Sequence, residues 1–330
     1  MARTRMLKAS IIIPVFNAAS YIEETLRSIF AQSFTDYEIV IVDDGSTDGT
    51  SEIISTFADP RILYLYQTNS GRPAVPRNRA IRESSGDIIF IFDSDDVMLP
   101  DKLGKTVELL TLAPSAGLAF TGFACIDESG KIINPNFLAP YHTLSKLPKT
   151  QISDSGFLIK SHAALKGLAS ANYLGTSGVA IRREVFDTVG FFDEQVRNSD
   201  DFLMWQAIAS QYDFAYTPEL YHHYRVRSGS ISLRRIEERA PGLIACVEKM
   251  KRYHAHDADS IRLLDEKIRR YHFEAGYSYF SQYQLRDARR SFLQALKKRL
   301  DRQTLRYLAL TMLPASVLSK LKHLKTLASN

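Results

Sequence analysis

Two aspartates lie two positions apart directly after a short apolar segment, and together they could hold a divalent cation. The segment Asp87–Phe92 has the β-branched and aromatic residues of a buried strand in a parallel sheet, and Asp93-Ser94-Asp95-Asp96 follows it. Open α/β sheets bind ligands at the carboxyl ends of their strands, so Asp93 and Asp95 could converge on Mg²⁺ or Mn²⁺ there. A solvated acidic loop is the alternative interpretation.

A second polar segment, Asp43–Asp48, follows the apolar stretch Glu38–Val42 and would lie at the same edge of the sheet. A carboxylate at Asp44 could accept a hydrogen bond from the imide N–H of uracil or thymine. Alternatively, the Asp, Ser and Gly residues of this segment only form a turn and cap the next helix. The segment taken alone leaves both interpretations open.

The elements that would position these residues alternate between strand and helix. Apolar runs predict strands, and apolar spacing with a helical period predicts helices between them. The predicted strands are 10–16, 38–42, 62–66 and 87–92, and the helices are 19–31, 51–57 and 75–83. This alternation predicts an α/β fold with a doubly wound, mostly parallel sheet.

The rest of the chain is less regular up to about residue 235 and purely helical after it. We expect helices at 103–112 and 202–210, strands at 117–126 and 177–181, and a loop-rich insertion at 134–156. From residue 240 onward the apolar spacing is helical throughout. These patterns predict an α/β domain followed by an all-α extension.

The composition indicates an ordinary globular protein in a reducing compartment. The chain has 330 residues, 45% hydrophobic and 24% charged, which suits one large domain with an appendage. The two cysteines are far apart in the sequence, which favours a cytoplasmic location. We find neither a signal-peptide core nor an apolar run of about 18 residues that could span a bilayer.

The charge of the chain is unevenly distributed. Residues 240–330 contain 18 Lys and Arg against 8 Asp and Glu, a net charge of +10, whereas the whole chain carries +5. This basic tail suits an anionic partner, either a membrane surface, a nucleic acid or another protein. Within it, Pro314 would split Thr304–Leu327 into two short helices, and the second has the leucine and lysine spacing of an amphipathic helix at a membrane interface. Packing of that apolar face on the preceding helices is the alternative.

Five positions in the tail have the spacing of one 34-residue tetratricopeptide unit, a packed pair of helices. They are Gly276, Tyr279, Ala288, Phe292 and Ala295. The tryptophan and the final proline of that pattern are absent. The spacing predicts a helical hairpin, with or without true repeat ancestry.

Four motifs, in this order and spacing, closely resemble the family 2 glycosyltransferases with the GT-A fold. They are Ser10–Asn17, Asp43–Asp48, Gly71–Asn78 and Asp93–Asp96. A second block resembles the acceptor half of the same family, namely Gly175–Arg182, Gly190–Glu194 and Ser199–Asp201. The resemblance covers about residues 8–232 and implies a GT-A domain at 1–235, with a nucleotide-sugar half at 1–104 and an acceptor half at 105–235. Residues 236–330 would form the basic helical extension.

The resemblance implies a role for each matching residue of the donor half. Pro14 and Phe16 would line the base through backbone contacts, Asp44 would bind the base edge, and Arg72 would lie near the diphosphate. Asp93 would contact ribose or metal, and Asp95 would be the principal ligand of Mn²⁺ or Mg²⁺. The full set implied to bind the nucleotide sugar is Pro14, Phe16, Asn17, Asp44, Arg72, Asn78, Asp93 and Ser94.

In the acceptor half the resemblance implies that Asp201 is the catalytic base. The family more often has Glu-Asp where this chain has Asp-Asp, so Asp200 is a possible substitute. Many relatives carry a histidine where Arg227 stands here. An arginine can contact a diphosphate but cannot bind a metal ion.

The resemblance implies an inverting, metal-dependent transfer of one sugar to an acceptor hydroxyl. The donor would be a UDP- or dTDP-sugar, and the acceptor a glycan or lipid-linked intermediate in surface polysaccharide or glycolipid synthesis. Because no Gln-x-x-Arg-Trp motif occurs, we expect a non-processive enzyme, cytoplasmic or peripheral on the cytoplasmic membrane face, without a nucleic-acid partner. A sugar nucleotidyltransferase and an inactive GT-A domain that serves as a scaffold are the rival interpretations.

Overall fold

The computed structural model describes residues 7–139, 142–230, 233–314 and 317–318. The chain divides into two compact units, residues 1–228 and 229–330. The assignment of nucleotide-sugar, acceptor and extension functions to separate parts of the chain stays a prediction.

The described part of the first unit contains one sheet of eleven strands. In chain order they are β1 Ala9–Val15, β2 Tyr37–Asp43, β3 Ile62–Tyr66, β4 Ile88–Ile91, β5 Val97–Met98, β6 Ala116–Ile126, β7 Ile132–Asn134, β8 Thr150–Gln151, β9 Phe157–Ile159, β10 Val179–Arg182 and β11 Asp213–Arg225.

Eight helices accompany these strands in the same described residues. They are α1 Ile22–Phe30, α2 Thr50–Ser55, α3 Ala74–Glu83, α4 Lys102–Leu112, α5 His142–Lys146, α6 Ser161–Ser170, α7 Arg183–Val189 and α8 Asp200–Ala209. A short 3₁₀-helix, Thr176–Gly178, precedes β10.

The strand order confirms the predicted doubly wound, mostly parallel α/β sheet. The order is β3-β2-β1-β4-β10-β6-β11-β9-β8, with β5 paired to β11 and β7 to β6. β1 to β4 are mutually parallel, β10 runs antiparallel to both β4 and β6, and β11 returns parallel to β6. Because β10 is antiparallel to β4, the segment before β10 lies beside the carboxyl end of β4, and the segment after it lies at the amino end.

The centre of the sheet is covered on both faces. All four residues of β4 are completely buried, as expected for a parallel strand between two helical layers. The buried residues of α1 are Ile22, Thr25, Leu26 and Ile29, and the three apolar ones stand at positions that helical spacing predicts. α3 packs on β1 and β2, and α4 packs on β6 and β11. The sheet edge that carries the polar motifs therefore stands on a rigid core.

One predicted strand boundary was wrong. The predicted strand at 177–181 begins only at Val179, because Ser177 and Gly178 lie in the 3₁₀-helix, where the Gly178 N–H bonds to the carbonyl of Gly175. The predicted loop-rich insertion at 134–156 contains two short elements, α5 and β8. β8 pairs with the nearby β9 as a local antiparallel hairpin.

The second unit is helical, as the pattern predicts. Its described helices are α9 Ile236–Met250, α10 Ala258–Ser281, α11 Leu285–Lys298 and α12 Arg302–Leu310, with a 3₁₀-helix at Lys251–His254. α10 and α11 form the predicted hairpin. Gly276 allows this close packing, since a Cβ atom there would lie 2.7 Å from the ring of Phe292. Its relationship to tetratricopeptide repeats stays a prediction.

The predicted amphipathic segment Thr304–Leu327 is described only in part. α12 ends at Leu310, and residues 319–330 lie outside the described residues. Among the residues that are described, no helix combines the length and the apolar character needed to cross a membrane.

Candidate active site

The parallel strands β1 to β4 end at one edge of the sheet, where the polar motifs follow them. In the sheet register, Val15 lies beside Asp43, and Asp43 lies beside Tyr66. The predicted base-binding and metal-binding segments therefore meet at the same crevice, in agreement with the sequence prediction for their position.

The acidic motif is held as a tight turn beyond β4. The Asp93 N–H donates to Oγ of Ser177 at 3.0 Å. The hydroxyl of Thr25 on α1 donates to the carbonyls of Ser94 and Asp96 at 3.1 and 2.8 Å. Ser94 is buried, and its contribution to this arrangement is its backbone carbonyl.

Asp95 carries an ion pair with Arg227. Arg227 Nε donates to Asp95 Oδ2 at 2.5 Å, and the two side chains are 29% and 13% exposed respectively. The Asp95 carbonyl accepts a second hydrogen bond, from Arg225 Nε at 2.8 Å. Arg225 is the last residue of β11 and Arg227 lies just beyond it, so the end of this strand supplies both arginines that bond to Asp95.

Asp96 points away from the crevice into a buried polar cluster with Lys102, which sequence reasoning missed. Asp96 Oδ1 accepts the Arg225 N–H at 2.8 Å. Burial raises the pKa of Asp96 well above its ordinary value, and Asp95 and Asp93 add to this effect. Burial lowers the pKa of Lys102 to about 7, against the opposing influence of Asp96. The buried cluster therefore stabilises the acidic turn on the side that faces away from the crevice.

The acidic pair at the start of α8 separates into two different environments. Asp200 is 4% exposed, and its Oδ2 accepts a 2.6 Å hydrogen bond from Nη1 of Arg77 on α3. Asp201 Oδ2 instead accepts a hydrogen bond from the Thr176 hydroxyl at 2.9 Å. The Arg77 guanidinium also stacks over the ring of Phe192, 5.0 Å from its centre.

Electrostatic interactions join the acidic motif and this pair into one site. Burial raises the pKa of Asp93 to about 6; Arg77 opposes this, and Asp95, Asp201 and Asp200 add to it. Burial likewise raises the pKa of Asp200 to about 6, again against Arg77. Arg77 Nη2 lies 3.6 Å from Asp93 Oδ1. The structure thus brings the pair Asp93 and Asp95 together with the pair Asp200 and Asp201. The two pairs are more than 100 positions apart in the sequence.

Asp44 lies on the other side of the crevice and is held by the loop after β3. Its Oδ1 accepts from Gln67 Nε2 at 2.6 Å, and its Oδ2 accepts from the Ser70 hydroxyl at 2.8 Å. The residue is 5% exposed. The Ser70 N–H also donates to both oxygens of Asp44, at 3.1 Å each. A carboxylate has about four acceptor positions, so a ligand N–H at Asp44 would have to replace part of this shared Ser70 bond.

The end of β1 presents the remaining predicted base-binding residues. Phe16 is 48% exposed, and Pro14 is partly buried in the strand. Asn17 adopts a left-handed backbone, with φ of 50°, and its Oδ1 accepts the Thr47 N–H at 2.8 Å. This contact ties the turn after β1 to the turn after β2, so Asn17 lies beside the crevice with its side-chain oxygen engaged.

Arg72 and Asn78 both contact the segment before α8. Arg72 Nη1 donates to the Glu194 carbonyl at 2.5 Å. The buried Asn78 amide donates to the Phe192 carbonyl at 2.8 Å and accepts the Phe192 N–H at 3.0 Å. Asn78 therefore joins α3 to the segment between α7 and α8, a contact that the sequence does not indicate.

The acidic motif offers two carboxylates to a hard divalent cation, so most of the ligands of such a cation would come from water and substrate. Asp93 and Asp95 offer carboxylate oxygens, the ligands that Mg²⁺ and Mn²⁺ prefer. Among the described residues, no group of three or more His, Cys, Asp and Glu side chains could hold a metal ion. Water and phosphate oxygens of a substrate would complete such a coordination shell.

Arg77 and Thr176 are the site residues that sequence reasoning missed. Arg77 shares the buried face of α3 with Ala74 and Ile81. An arginine at the core-facing position of an otherwise amphipathic helix indicates a buried acidic partner, since an unpaired buried charge is costly. Thr176 gives no comparable signal, because a threonine next to glycine suits many loops.

The structure is similar to solved glycosyltransferases with the GT-A fold. The Staphylococcus aureus TarS fragment 1–349 in complex with UDP-GlcNAc matches with a TM-score of 0.63 at 18% identity, over 88% of this chain and 81% of that one. The mannosyltransferase PcManGT of Pyrobaculum calidifontis, in complex with GDP-Man and Mn²⁺, matches with a TM-score of 0.57 at 20% identity, over 99% and 84%. At these identities the similarity shows the shared fold, which confirms the GT-A prediction.

Among curated proteins, the chain is similar to bacterial glycosyltransferases. It is 37% identical over 133 residues, 40% of its length, to the putative teichuronic acid biosynthesis glycosyltransferase TuaG of Bacillus subtilis. It is 27% identical over 227 residues, 68% of its length, to glycosyltransferase GlyA of Streptococcus pneumoniae. The matches span 52% of the first relative and 31% of the second.

These sequence matches indicate the class of protein, the glycosyltransferases. Comparison of the chain with models of protein families then specifies the family. Residues 10–190, more than half of the chain, match Glycosyl transferase family 2. The protein therefore belongs to glycosyl transferase family 2, with a helical region after its GT-A domain.

Proposed function

We propose that this chain transfers a single sugar, with inversion, from a nucleotide-diphosphate sugar to an acceptor hydroxyl. The observation that carries the proposal is the convergence of two acidic groups from distant parts of a family 2 chain. Asp93 and Asp95 follow β4, and Asp201 lies in the first turn of α8, which Arg77 joins to the motif through its contacts with Asp93 at 3.6 Å and Asp200 at 2.6 Å. A donor site and a proton acceptor at one crevice are the two parts that this reaction requires.

Asp201 is the proposed catalytic base. A sugar hydroxyl is a weak nucleophile near neutral pH, so a carboxylate must accept its proton as the oxygen attacks the anomeric carbon. Asp200 is buried and bound to Arg77, whereas Asp201 is only partly buried and receives one hydroxyl bond from Thr176. Attack opposite to the departing diphosphate inverts the anomeric centre.

We propose that Asp44 and the turn after β1 bind the donor base and that Arg72 lies near its diphosphate. A carboxylate at Asp44 suits an imide N–H, which favours UDP- or dTDP-sugars, and the long, shared Ser70 N–H bond is the contact that such a donor would replace. Complexes of the similar structures with UDP-GlcNAc and with GDP-Man support a nucleotide sugar as the donor class. For Arg72 to reach the diphosphate, its bond to the Glu194 carbonyl must open.

A divalent cation, Mn²⁺ or Mg²⁺, would be held by Asp95 and Asp93. When bound, it offsets the negative charge of the departing diphosphate. The oxygen-only donor set supports this proposal, as does the Mn²⁺ in the similar mannosyltransferase structure.

The proposed acceptor is a glycan or lipid-linked intermediate of surface polysaccharide or glycolipid synthesis. The name of the Bacillus subtilis relative, which refers to teichuronic acid biosynthesis, supports a surface glycan. We further propose that the basic tail holds the enzyme at the cytoplasmic face of the membrane. Its net charge of +10 over residues 240–330 supports attraction to anionic lipid.

A nucleotide-sugar screen tests the donor and metal proposals together. UDP-, dTDP- and GDP-sugars are each added with Mn²⁺, with Mg²⁺ or with EDTA, and thermal unfolding is followed. A donor at about 100 times its dissociation constant should stabilise the protein by about 2.7 kcal/mol. The donor that stabilises it is then tested for transfer, and the anomeric configuration of the product is determined by NMR.

The Asp95→Ala variant provides the matched comparison. It should keep the fold but lose Mn²⁺-dependent stabilisation and sugar transfer. Full activity of the wild-type protein in EDTA would contradict the metal proposal. A product with retained anomeric configuration would contradict the inverting mechanism, and the absence of stabilisation by every nucleotide sugar would contradict the donor class.

A further inference from the structure

Arg227 occupies the carboxylate oxygen of Asp95 that a cation would need. Its Nε lies 2.5 Å from Asp95 Oδ2, and its guanidinium faces the ring of Tyr21 with 5.7 Å between carbon and ring centre. Among the described residues, the Arg227 side chain makes this one hydrogen bond. A guanidinium and a divalent cation cannot occupy the same oxygen lone pairs, so binding of one opposes binding of the other.

The neighbouring Arg225 is held by several hydrogen bonds, whereas Arg227 is held by one and is therefore easier to displace. Arg225 is 2% exposed and donates to Glu24 Oε2 and to the carbonyls of Asp95, Asp127 and Glu128. Arg227 lies beyond the end of β11, is 29% exposed and is anchored through one nitrogen. Releasing Arg227 breaks one ion pair, whereas releasing Arg225 would break several buried bonds.

Asp95 needs a positively charged partner of its own, because the other arginines near the motif form their ion pairs with other acidic side chains. Arg77 serves Asp93 and Asp200, and Arg225 serves Glu24. Arg227 is the remaining cation that pairs directly with the motif in the described residues. Without it, Asp95 would interact with the like charge of Asp93 and have no arginine of its own, which is unfavourable in a partly buried site.

We infer that Arg227 is a mobile counter-charge: it pairs with Asp95 while the donor site is empty and moves to the donor diphosphate when a divalent cation takes Asp95. This inference rests on the proposed function. A planar guanidinium with several donors suits two phosphate oxygens at once. The cation should therefore bind weakly alone and strongly together with the nucleotide.

Calorimetric titrations of the full chain with Mn²⁺ alone, and then with UDP or GDP in saturating Mn²⁺, test the inference. Arg227→Gln removes the charge, and Arg227→Lys keeps it. Arg27→Gln is the matched control, because it removes an exposed arginine that pairs with Glu23 on α1. Circular dichroism and thermal unfolding verify that every variant is folded.

For Arg227→Gln we expect Mn²⁺ alone to bind about tenfold more tightly than to the wild type, and the nucleoside diphosphate to bind about tenfold more weakly, since each step changes one charge-assisted contact. The Mn²⁺ and nucleotide affinities of Arg227→Lys should lie between those of the wild type and Arg227→Gln. The affinities of Arg27→Gln should match those of the wild type. Unchanged Mn²⁺ affinity in Arg227→Gln would overturn the competition, and unchanged nucleotide affinity would overturn the transfer to the diphosphate. If the wild type binds neither UDP nor GDP at any Mn²⁺ concentration, the proposed donor class fails, whereas the titrations with Mn²⁺ alone still test the competition at Asp95.

Discussion

Arg77 Nη1 donates a 2.6 Å hydrogen bond to Oδ2 of Asp200, and both side chains are at most 6% exposed. The pair joins α3 to the start of α8 across 123 positions of sequence. It also gives the two adjacent aspartates different roles, because Asp200 is committed to a buried ion pair and Asp201 is not.

Asp201→Asn should lower turnover by about 10²–10⁴-fold, because an amide has nearly the same shape but cannot accept the proton. Nucleotide binding, measured by calorimetry, should be unchanged. Asp200→Asn is the matched variant and should mainly lower stability, since it removes the charge that balances Arg77. A larger loss of turnover in Asp200→Asn than in Asp201→Asn would show that the assignment within the pair is wrong.

Arg77→Gln should destabilise the protein by about 3–5 kcal/mol, because it leaves the buried Asp200 and the nearby Asp93 without their cation. Urea unfolding followed by circular dichroism measures the change. Arg82→Gln, on the exposed side of the same helix, should change stability by less than about 1 kcal/mol, since Arg82 is 53% exposed in its ion pair with Glu194. Equal effects of the two substitutions would contradict a special role for Arg77.

Thr176→Val should lower the turnover number about tenfold with little change in nucleotide affinity, because it removes the hydroxyl that orients Asp201. Thr176→Ser keeps that hydroxyl and should restore most of the activity. Steady-state kinetics of both variants with one donor and one acceptor measures the difference. If Thr176→Ser is as impaired as Thr176→Val, the methyl group and not the hydroxyl is the important part of this residue.

Glu38 on β2 should contribute to stability at neutral pH and lose that contribution in acid. Burial alone would raise its pKa, but hydrogen bonds from Ser10, Ser85 and Lys8 lower the pKa to about 2. Since the folded state holds this carboxylate in its charged form, the stabilisation is present above the unfolded pKa of about 4.3 and disappears as pH falls to about 2.

Glu38→Gln should therefore be less stable than the wild type by about 1–3 kcal/mol at pH 7, and the difference should shrink toward pH 2. Urea unfolding at a series of pH values measures both proteins. Glu52→Gln, an exposed position on α2, is the control and should show no such convergence. A constant difference between Glu38→Gln and the wild type at all pH values would exclude this linkage.

Deletion of residues 314–330 should release the protein from anionic liposomes and spare donor hydrolysis, if the tail forms the predicted membrane contact. Each basic residue near an anionic surface contributes about 1 kcal/mol. Changing Lys320, Lys322 and Lys325 together to Gln should therefore weaken co-sedimentation while the chain keeps its full length. Undiminished co-sedimentation of the truncated protein, or its unfolding, would refute the membrane contact of this segment.

The fold and the location of the site could be predicted from the sequence because both depend on local patterns. The predicted strand at 62–66 coincides with β3, and the predicted strand at 38–42 differs from β2 by one residue at each end. Apolar runs of this kind bury themselves in a parallel sheet wherever they pair. Residues that directly follow such strands, such as Asp44 and Asp93, must then lie at its carboxyl edge.

Only the tertiary structure decided which charges pair inside the site. Arg77 meets Asp200 across 123 positions, and Arg227 meets Asp95 across 132. Nothing in either local sequence selects these partners, because they meet through the strand order β4-β10-β6-β11 and through the contact between Arg77 on α3 and the start of α8. Pairing of buried charges depends on distance and desolvation in the folded chain, and the sequence pattern specifies neither.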